Sequence, residues 1–245
     1  MTPATLPRWA RLVRCDNPSP MTLEGTNTWL IDGGALDLPG TMVVVDPGPL
    51  DERHLQAVAA AGPVALVLLT HRHPDHAEGA QRFAEITGAA VLDRADFSTE
   101  GGDVPGVRVL YTPGHTSDSV SFVVTGPEGG DPAVLTGDTI LGRGSTVVAH
   151  PDGDLRSYLS SLERLRNLGD IPVLPGHGPV LPSAAQAATG YLAHRAQRLD
   201  QVRAARAAGD QTAGEIVQRV YADVDPSLWP AAEMSVQAQL AYLDS

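Results

Sequence analysis

The sequence predicts an α/β domain followed by a small helical appendage. Three observations carry this expectation. From residue 28 to about 180, short β-rich runs alternate with Gly- and Pro-bearing loops and amphipathic helical segments. Several of those runs are apolar throughout, as strands covered on both faces are. After about residue 183 the β-rich runs stop, and three helical patterns fill the remainder. The boundary therefore divides the chain into 1–183 and 184–245.

In chain order, strands are expected at 28–32 (TWLID), 41–46 (TMVVVD), 65–70 (ALVLLT), 107–112 (VRVLYT), 119–124 (SVSFVV), 133–137 (AVLTG) and 172–176 (PVLPG). Helices are expected at 51–61, at 77–87 ending on Gly88, and at 154–167 ending near Gly169, with glycine where a C-terminal cap needs it. The tail reads as helices at 184–208, 212–223 and 230–244. Thr212 and Glu215 have capping-box spacing, and Pro230 suits a first helical turn. Trp229, Met234 and Leu240 read as packing residues of this tail, with dimerisation left open. GPEGGDP at 126–132 reads as a plain turn.

At 245 residues the chain is long enough for a substantial core. Its single cysteine, Cys15, excludes an internal disulfide and any multi-cysteine zinc site, and a reducing cytoplasm is the expected setting. The opening stretch lacks a signal-peptide pattern, and no run approaches the roughly 20 apolar residues of a membrane helix. The net charge of -12 disfavours a broad nucleic-acid or membrane-surface field. Every basic side chain is arginine and none is lysine, which points to GC-rich coding of a bacterial kind.

The densest chemistry lies in THRHPDHAEG at 70–79, directly after an apolar run. His71 and His73, two apart at a strand end, project to one side if the backbone stays extended. Pro74 favours the first turn of a helix, which leaves Asp75 and His76 beside the same strand end. Imidazole and carboxylate together suit zinc, manganese or iron rather than calcium or magnesium. Four groups can begin two metal sites but complete neither. Further candidates follow apolar runs beside glycine: His115 in TPGHTSDS, Asp138 in LTGDTILG and His177 in LPGHGPV. His54 and His150 lack that placement and read as ordinary surface histidines.

HRHPDH at 71–76 resembles the H-x-H-x-D-H motif of the metallo-β-lactamase superfamily, and His115, Asp138 and His177 match its remaining ligand motifs in order. The resemblance covers about residues 20–182. It implies a four-layer αβ/βα sandwich, with His71, His73 and His115 on one metal, Asp75, His76 and His177 on a second, and Asp138 bridging them. Two Zn2+ ions are implied, with Mn2+ or Fe2+ as alternatives, holding a bridging hydroxide for hydrolysis. Asp75 would orient that hydroxide as the catalytic carboxylate, and Asp46 in VVVDPGP would support a ligand histidine by a hydrogen bond.

Asp138 stands where the antibiotic-degrading B1 and B2 enzymes carry cysteine, which argues against a lactamase. GTNTWL, TGDTILGRGSTVV and YLAHRAQR resemble the lactamase-β-like branch, which includes a mitochondrial single-strand endoribonuclease and carries a winged-helix-like C-terminal segment. Cleavage of single-stranded RNA follows as one expectation. His194 and Arg195 are its candidate substrate contacts, and Arg195, Arg198 and Arg206 fall near one face of the 184–208 helix. Hydrolysis of a thioester or lactone, as by glyoxalase-II-like or acyl-carrier thioesterase members, is the alternative and fits the acidic charge better. A metal-binding interaction protein without catalysis is the third reading.

Overall fold

The structure is a computed structural model that describes residues 5–101, 104–126 and 130–245. The centre of the expected 126–132 turn lies outside the described residues. Among the described residues, nine strands form two mixed sheets. In the first, β1 (Ala10–Arg14), β2 (Asn27–Asp32) and β3 (Met42–Val45) pair antiparallel in sequence, and β4 (Val64–Leu68) and β5 (Ala90–Leu92) continue it in parallel. In the second, β6 (Val107–Tyr111), β7 (Val120–Val124) and β8 (Ala133–Gly137) are antiparallel, and β9 (Val173–Pro175) joins β8 in parallel.

Alternation of side chains explains the layering, because each sheet is apolar on both faces. Trp29, Ile31, Val43, Val45 and Leu68 of the first sheet meet Val109, Val120, Phe122, Leu135 and Leu174 of the second in the central core. Leu30, Val44 and Val67 point the other way, onto α1 (Glu52–Ala59) and α3 (Ala80–Thr87), where they bury Leu55, Val58 and Phe83. Leu110, Val123, Val134 and Val173 point outward from the second sheet onto α4 (Leu155–Arg166) and α5 (Ala184–Ala207). The result is the four-layer αβ/βα sandwich.

The α5 helix serves two cores. Ala184, Ala188, Tyr191 and Leu199 pack with α4, whereas Val202 and Ala205 pack with α6 (Ala213–Val220) and α7 (Trp229–Leu243). The expected division at 183/184 thus falls at the start of a helix shared between both units. Thr212 and Glu215 close the capping box of α6, and Trp229 and Leu240 pack into the tail's own core. Among the described residues this tail contains no strand.

Two sequence expectations need correction. The helix expected at 77–87 is divided, with a short α2 (Pro74–Ala77) preceding α3. Any side chain at Gly79 would strike the Pro49 and Gly48 carbonyls, at 2.6 and 2.9 Å from its Cβ. His54 is not a surface histidine: it is 6% exposed, and its Nε2 lies 2.9 Å from the Thr28 hydroxyl. That hydroxyl donates to the Asp46 carbonyl at 2.7 Å, so His54 Nε2–H donates to Thr28. His54 is covered because α1 lays it against the first sheet.

Burial holds the His54 pKa below its ordinary 6.5, against the opposing charge of Asp51. The folded state therefore resists protonation that the unfolded chain accepts below about pH 6.5. His54 contributes stability above that pH and loses it as pH falls toward the depressed folded value. Urea unfolding of the chelator-treated protein from about pH 8 to pH 5 should show a steeper loss of stability in the wild type than in His54→Gln. Equal slopes would contradict this account of the buried imidazole.

Candidate metal centre

One end of the sandwich collects the polar ends of β3, β4, β6, β8 and β9. The Thr70 carbonyl accepts from Val120 N–H at 2.8 Å, and the Gly176 carbonyl accepts from Asn27 N–H at 2.8 Å, so the two sheets are tied together there. Asn27 Nδ2 also donates to the Pro175 and Gly178 carbonyls at 3.0 and 2.9 Å. These links fix the loops that carry the chemistry.

Three imidazole nitrogens meet in the first group. His71 Nε2 and His115 Nε2 lie 3.1 and 3.0 Å from His73 Nδ1. In a second group, His76 Nε2 and His177 Nε2 are 3.1 Å apart, with Asp75 Oδ2 3.1 Å from His177 Nε2. Asp138 stands between the groups. Its Oδ1 is 3.4 Å from His76 Nε2, and its Oδ2 is 3.5 Å from His177 Nε2 and 3.8 Å from His115 Nε2. The structure thus brings together all seven residues that the sequence proposed as metal ligands.

The outward nitrogens decide what the inward ones can do. His115 Nδ1–H donates to the Val147 carbonyl at 2.6 Å, and His177 Nδ1–H faces the Gly25 carbonyl at 3.3 Å. His76 Nδ1–H donates to Asp46 Oδ2 at 2.9 Å. His71 Nδ1–H donates to the Thr70 hydroxyl at 3.0 Å, which itself donates to Asp46 Oδ2 at 2.7 Å. A neutral imidazole that donates from Nδ1 turns its Nε2 lone pair inward. Four lone pairs, the His73 nitrogen and two carboxylates then face one another, an arrangement that cations relieve. Asp138 Oδ1 is also buried without a hydrogen-bond partner. The residues fit a pair of divalent ions held by nitrogen and oxygen donors.

The electrostatics agree with this fit. Burial, with the neighbouring imidazoles His76 and His115, holds His71 well below the ordinary histidine range. Burial likewise depresses His73 and His115, although Asp138 opposes it at both. At His76 burial disfavours the cation, yet the Asp138 and Asp46 carboxylates outweigh it and raise the pKa well above the ordinary value. Asp138 is held well below the carboxylate range because His76 and His177 outweigh its burial. Without a metal, a proton on His76 satisfies part of the same negative field.

Asp46 anchors the centre from behind. It is 1% exposed, and in addition to the His76 and Thr70 hydroxyl contacts its Oδ1 accepts from Thr70 N–H at 2.8 Å. Its backbone takes a positive φ of 52°, which aspartate tolerates better than most residues. Gly176 leaves space for the centre from the opposite side: a Cβ there would lie 2.6 Å from both Asp138 Oδ1 and His76 Cε1. Thr28, Thr70 and His54 belong to the same support; Thr28 and Thr70 lie inside GTNTWL and THRHPDHAEG, but nothing in the sequence assigned any of the three this role.

A pocket of about 310 Å³ opens from His115 and Asp138 toward the helical tail. Its walls are largely apolar, with Met21, Leu23, Leu141, Val147, Val224 and Leu228, and Arg143, Arg195 and Arg198 supply its positive groups. The three arginines that the sequence placed near one face of α5 have three different settings. Arg195 is 2% exposed and donates from Nη2 to the Thr146 carbonyl, because α5 packs that face against the loop after β8. Arg198 stacks 4.4 Å from the Tyr221 ring centre, and Arg206 pairs with Asp244 at 2.6 Å on the surface. His194 lines a separate, more open cleft with Gly144, Ser145, Gly190 and Tyr191. His150 lines neither space.

Asp46→Ala leaves Thr70 N–H, the Thr70 hydroxyl and His76 Nδ1–H without their acceptor. Metal affinity, measured by competition with a chromophoric chelator, should fall about 10- to 100-fold. Affinity equal to that of the wild type would contradict the anchoring role of Asp46.

Comparison with known proteins gives the family. The metallo-beta-lactamase superfamily model matches residues 21–93 and 91–177, and the beta-lactamase associated winged helix domain model matches 212–245. The beta-lactamase-like protein 2 homolog of Drosophila melanogaster is 31% identical, over 96% of this chain and 87% of its own length. An atrochrysone carboxyl ACP thioesterase of Aspergillus fumigatus is 32% identical, over 84% of this chain and 71% of its own length. A metallo-beta-lactamase family protein from Thermus thermophilus has the same fold, with a TM-score of 0.77 at 23% identity over 96% of this chain and 93% of that one. No helix of the described residues is long and apolar enough to cross a membrane. The seven converging donors thus sit in a matched family domain, and the chain belongs to the metallo-β-lactamase superfamily of metal-dependent hydrolases, with a winged-helix segment at its C-terminal end.

Proposed function

We propose that the protein is a dinuclear metal hydrolase of acyl thioesters or related activated esters, with two zinc ions as its cofactors and manganese or iron as chemically equivalent occupants. The observation that carries this reading is the apolar pocket that ends at His115 and Asp138. His71, His73 and His115 would hold one ion, Asp75, His76 and His177 the other, and Asp138 both.

Two such cations supply a water that is acidic enough to ionise near neutral pH and an electrophile for the scissile carbonyl oxygen. Asp75 orients the attacking water and takes up its proton. Its side chain is more exposed than that of Asp138, 28% against 11%, so it can reach an incoming group. Burial favours its neutral form, but the His177 hydrogen bond and the nearby His76 outweigh burial and keep it ionised. The apolar walls exclude water from an acyl chain, and Arg198 offers a counter-charge to an acidic group on that chain.

The leaving group supports a thioester. Among the described residues lining the pocket, no histidine or carboxylate besides His115 and Asp138 is placed to donate a proton. A thiolate, from a thiol of pKa about 8.5, departs without that help far more readily than an alkoxide does. The similarity to an acyl-carrier thioesterase is in keeping with this reading.

Cleavage of single-stranded RNA is the second reading, favoured by the guanidinium groups of Arg143 and Arg198 in the same pocket. Against it, Arg143 is ion-paired with Glu24, the chain carries a charge of -12, and no run of stacking aromatics faces the pocket.

Thiol release from a short acyl thioester with a terminal carboxylate should be catalysed by the zinc-loaded wild type and fall by about 100-fold or more in Asp75→Ala. An end-labelled RNA should remain intact in parallel. RNA cleavage that disappears in Asp75→Ala, with the thioester untouched, would overturn the first reading in favour of the second.

A further inference from the structure

The loop after β8 runs from Asp138 to Ala149 and closes over the first group of donors. It is tied to His115 twice: Val147 offers its carbonyl to His115 Nδ1–H at 2.6 Å, and Ala149 N–H donates to the His115 carbonyl at 3.1 Å. It is tied to Asp138 as well, since the Thr146 hydroxyl donates to the Asp138 carbonyl at 2.7 Å. The orientation of one imidazole and one carboxylate therefore depends on where residues 146–148 lie.

Side chains from three helices decide that position. Tyr158 of α4 donates its hydroxyl to the Thr139 carbonyl at 2.7 Å, and Leu141 N–H donates to the Tyr191 hydroxyl of α5 at 3.0 Å. Val148 N–H donates to the Ser235 hydroxyl of α7 at 3.3 Å. Arg195 of α5 reaches the Thr146 carbonyl itself, with its guanidinium 5.0 Å from the Tyr158 ring centre.

Arg195 is costly to keep in that place. It is 2% exposed, its Nε is buried without a partner, and no carboxylate among the described residues forms an ion pair with it. Burying a guanidinium without a carboxylate opposes folding. An apolar side chain of similar length would pack there without that cost but would leave the Thr146 carbonyl unheld. A role in placing the loop explains the arginine, and packing alone does not.

We propose that Arg195 is a positioning residue of the metal centre: through the Thr146–Val147 peptide it fixes the His115 ring and the Asp138 main chain, so that the C-terminal helices set the donor geometry of the first group. This rests on the reading of these donors as a metal site. The role is distinct from the substrate contact that the sequence suggested for Arg195, which also lines the pocket.

Cobalt(II) serves as the probe, because each ligand imidazole that keeps an N–H gives its own exchangeable, paramagnetically shifted proton resonance. In Arg195→Met the His115 N–H resonance should move and exchange with solvent at least several-fold faster, and the affinity of the first group should fall about 10-fold or more. The His76 resonance should stay as in the wild type, and the affinity of the second group, which shares only Asp138 with the first, should fall less than that of the first. Arg195→Lys, which keeps a donor, should recover part of the loss. If Arg195→Met does not fold, Ser235→Ala carries the test, with a smaller displacement of the same resonance expected. A folded Arg195→Met, or a Ser235→Ala used in its place, with the His115 resonance and both affinities unchanged would overturn the proposal and leave the dinuclear reading standing. A wild type that binds no cobalt and shows no shifted resonance would instead overturn the metal reading on which the proposal rests.

Discussion

Everything at the active end of this protein depends on one constraint: several imidazole lone pairs are forced to face one another in a buried space. Neutral histidines do not gather in this way for packing alone, because each inward lone pair would lack a donor. The outward hydrogen bonds impose the arrangement. Val147, Asp46, Thr70 and Gly25 take up the Nδ1 protons of His115, His76, His71 and His177, and the Nε2 atoms have only the interior to face. Divalent cations would turn that strain into binding.

The sandwich exists in a form that can bear this cost. Both sheets are covered by helices and share a dry core, so the loops at one end are held by their strands and by cross-sheet hydrogen bonds rather than by the ligands themselves. Asp46 extends the same logic one layer further, because a single buried carboxylate orients His76 directly and His71 through Thr70. Behind it, His54 and Thr28 hold the Asp46 carbonyl. The C-terminal helices complete the frame from the other side, through the loop that carries Thr146 and Val147.

Much of this was legible in the sequence because ligands of this kind follow apolar strands and sit beside glycine. Seven of the nine strands were expected close to their observed limits. The two that were missed, ARLVR and AVL, are edge strands, and one has only three residues, too few for a periodic signal. The division at Gly79 was hidden because its cause is a close approach to Pro49, thirty residues earlier in the chain. The burial of His54 and of Arg195 was hidden for a related reason. Their partners lie 26 and 49 residues away in sequence. A helix such as α5, packed on two cores, does not reveal from its own pattern which polar side chain will be enclosed.

The central claim is that these donors hold two ions, and anomalous diffraction from a zinc-loaded crystal tests it most directly. The account predicts two peaks, one among His71, His73 and His115 and one among Asp75, His76 and His177, with Asp138 between them. Absence of both peaks, or zinc bound away from these residues, would contradict it.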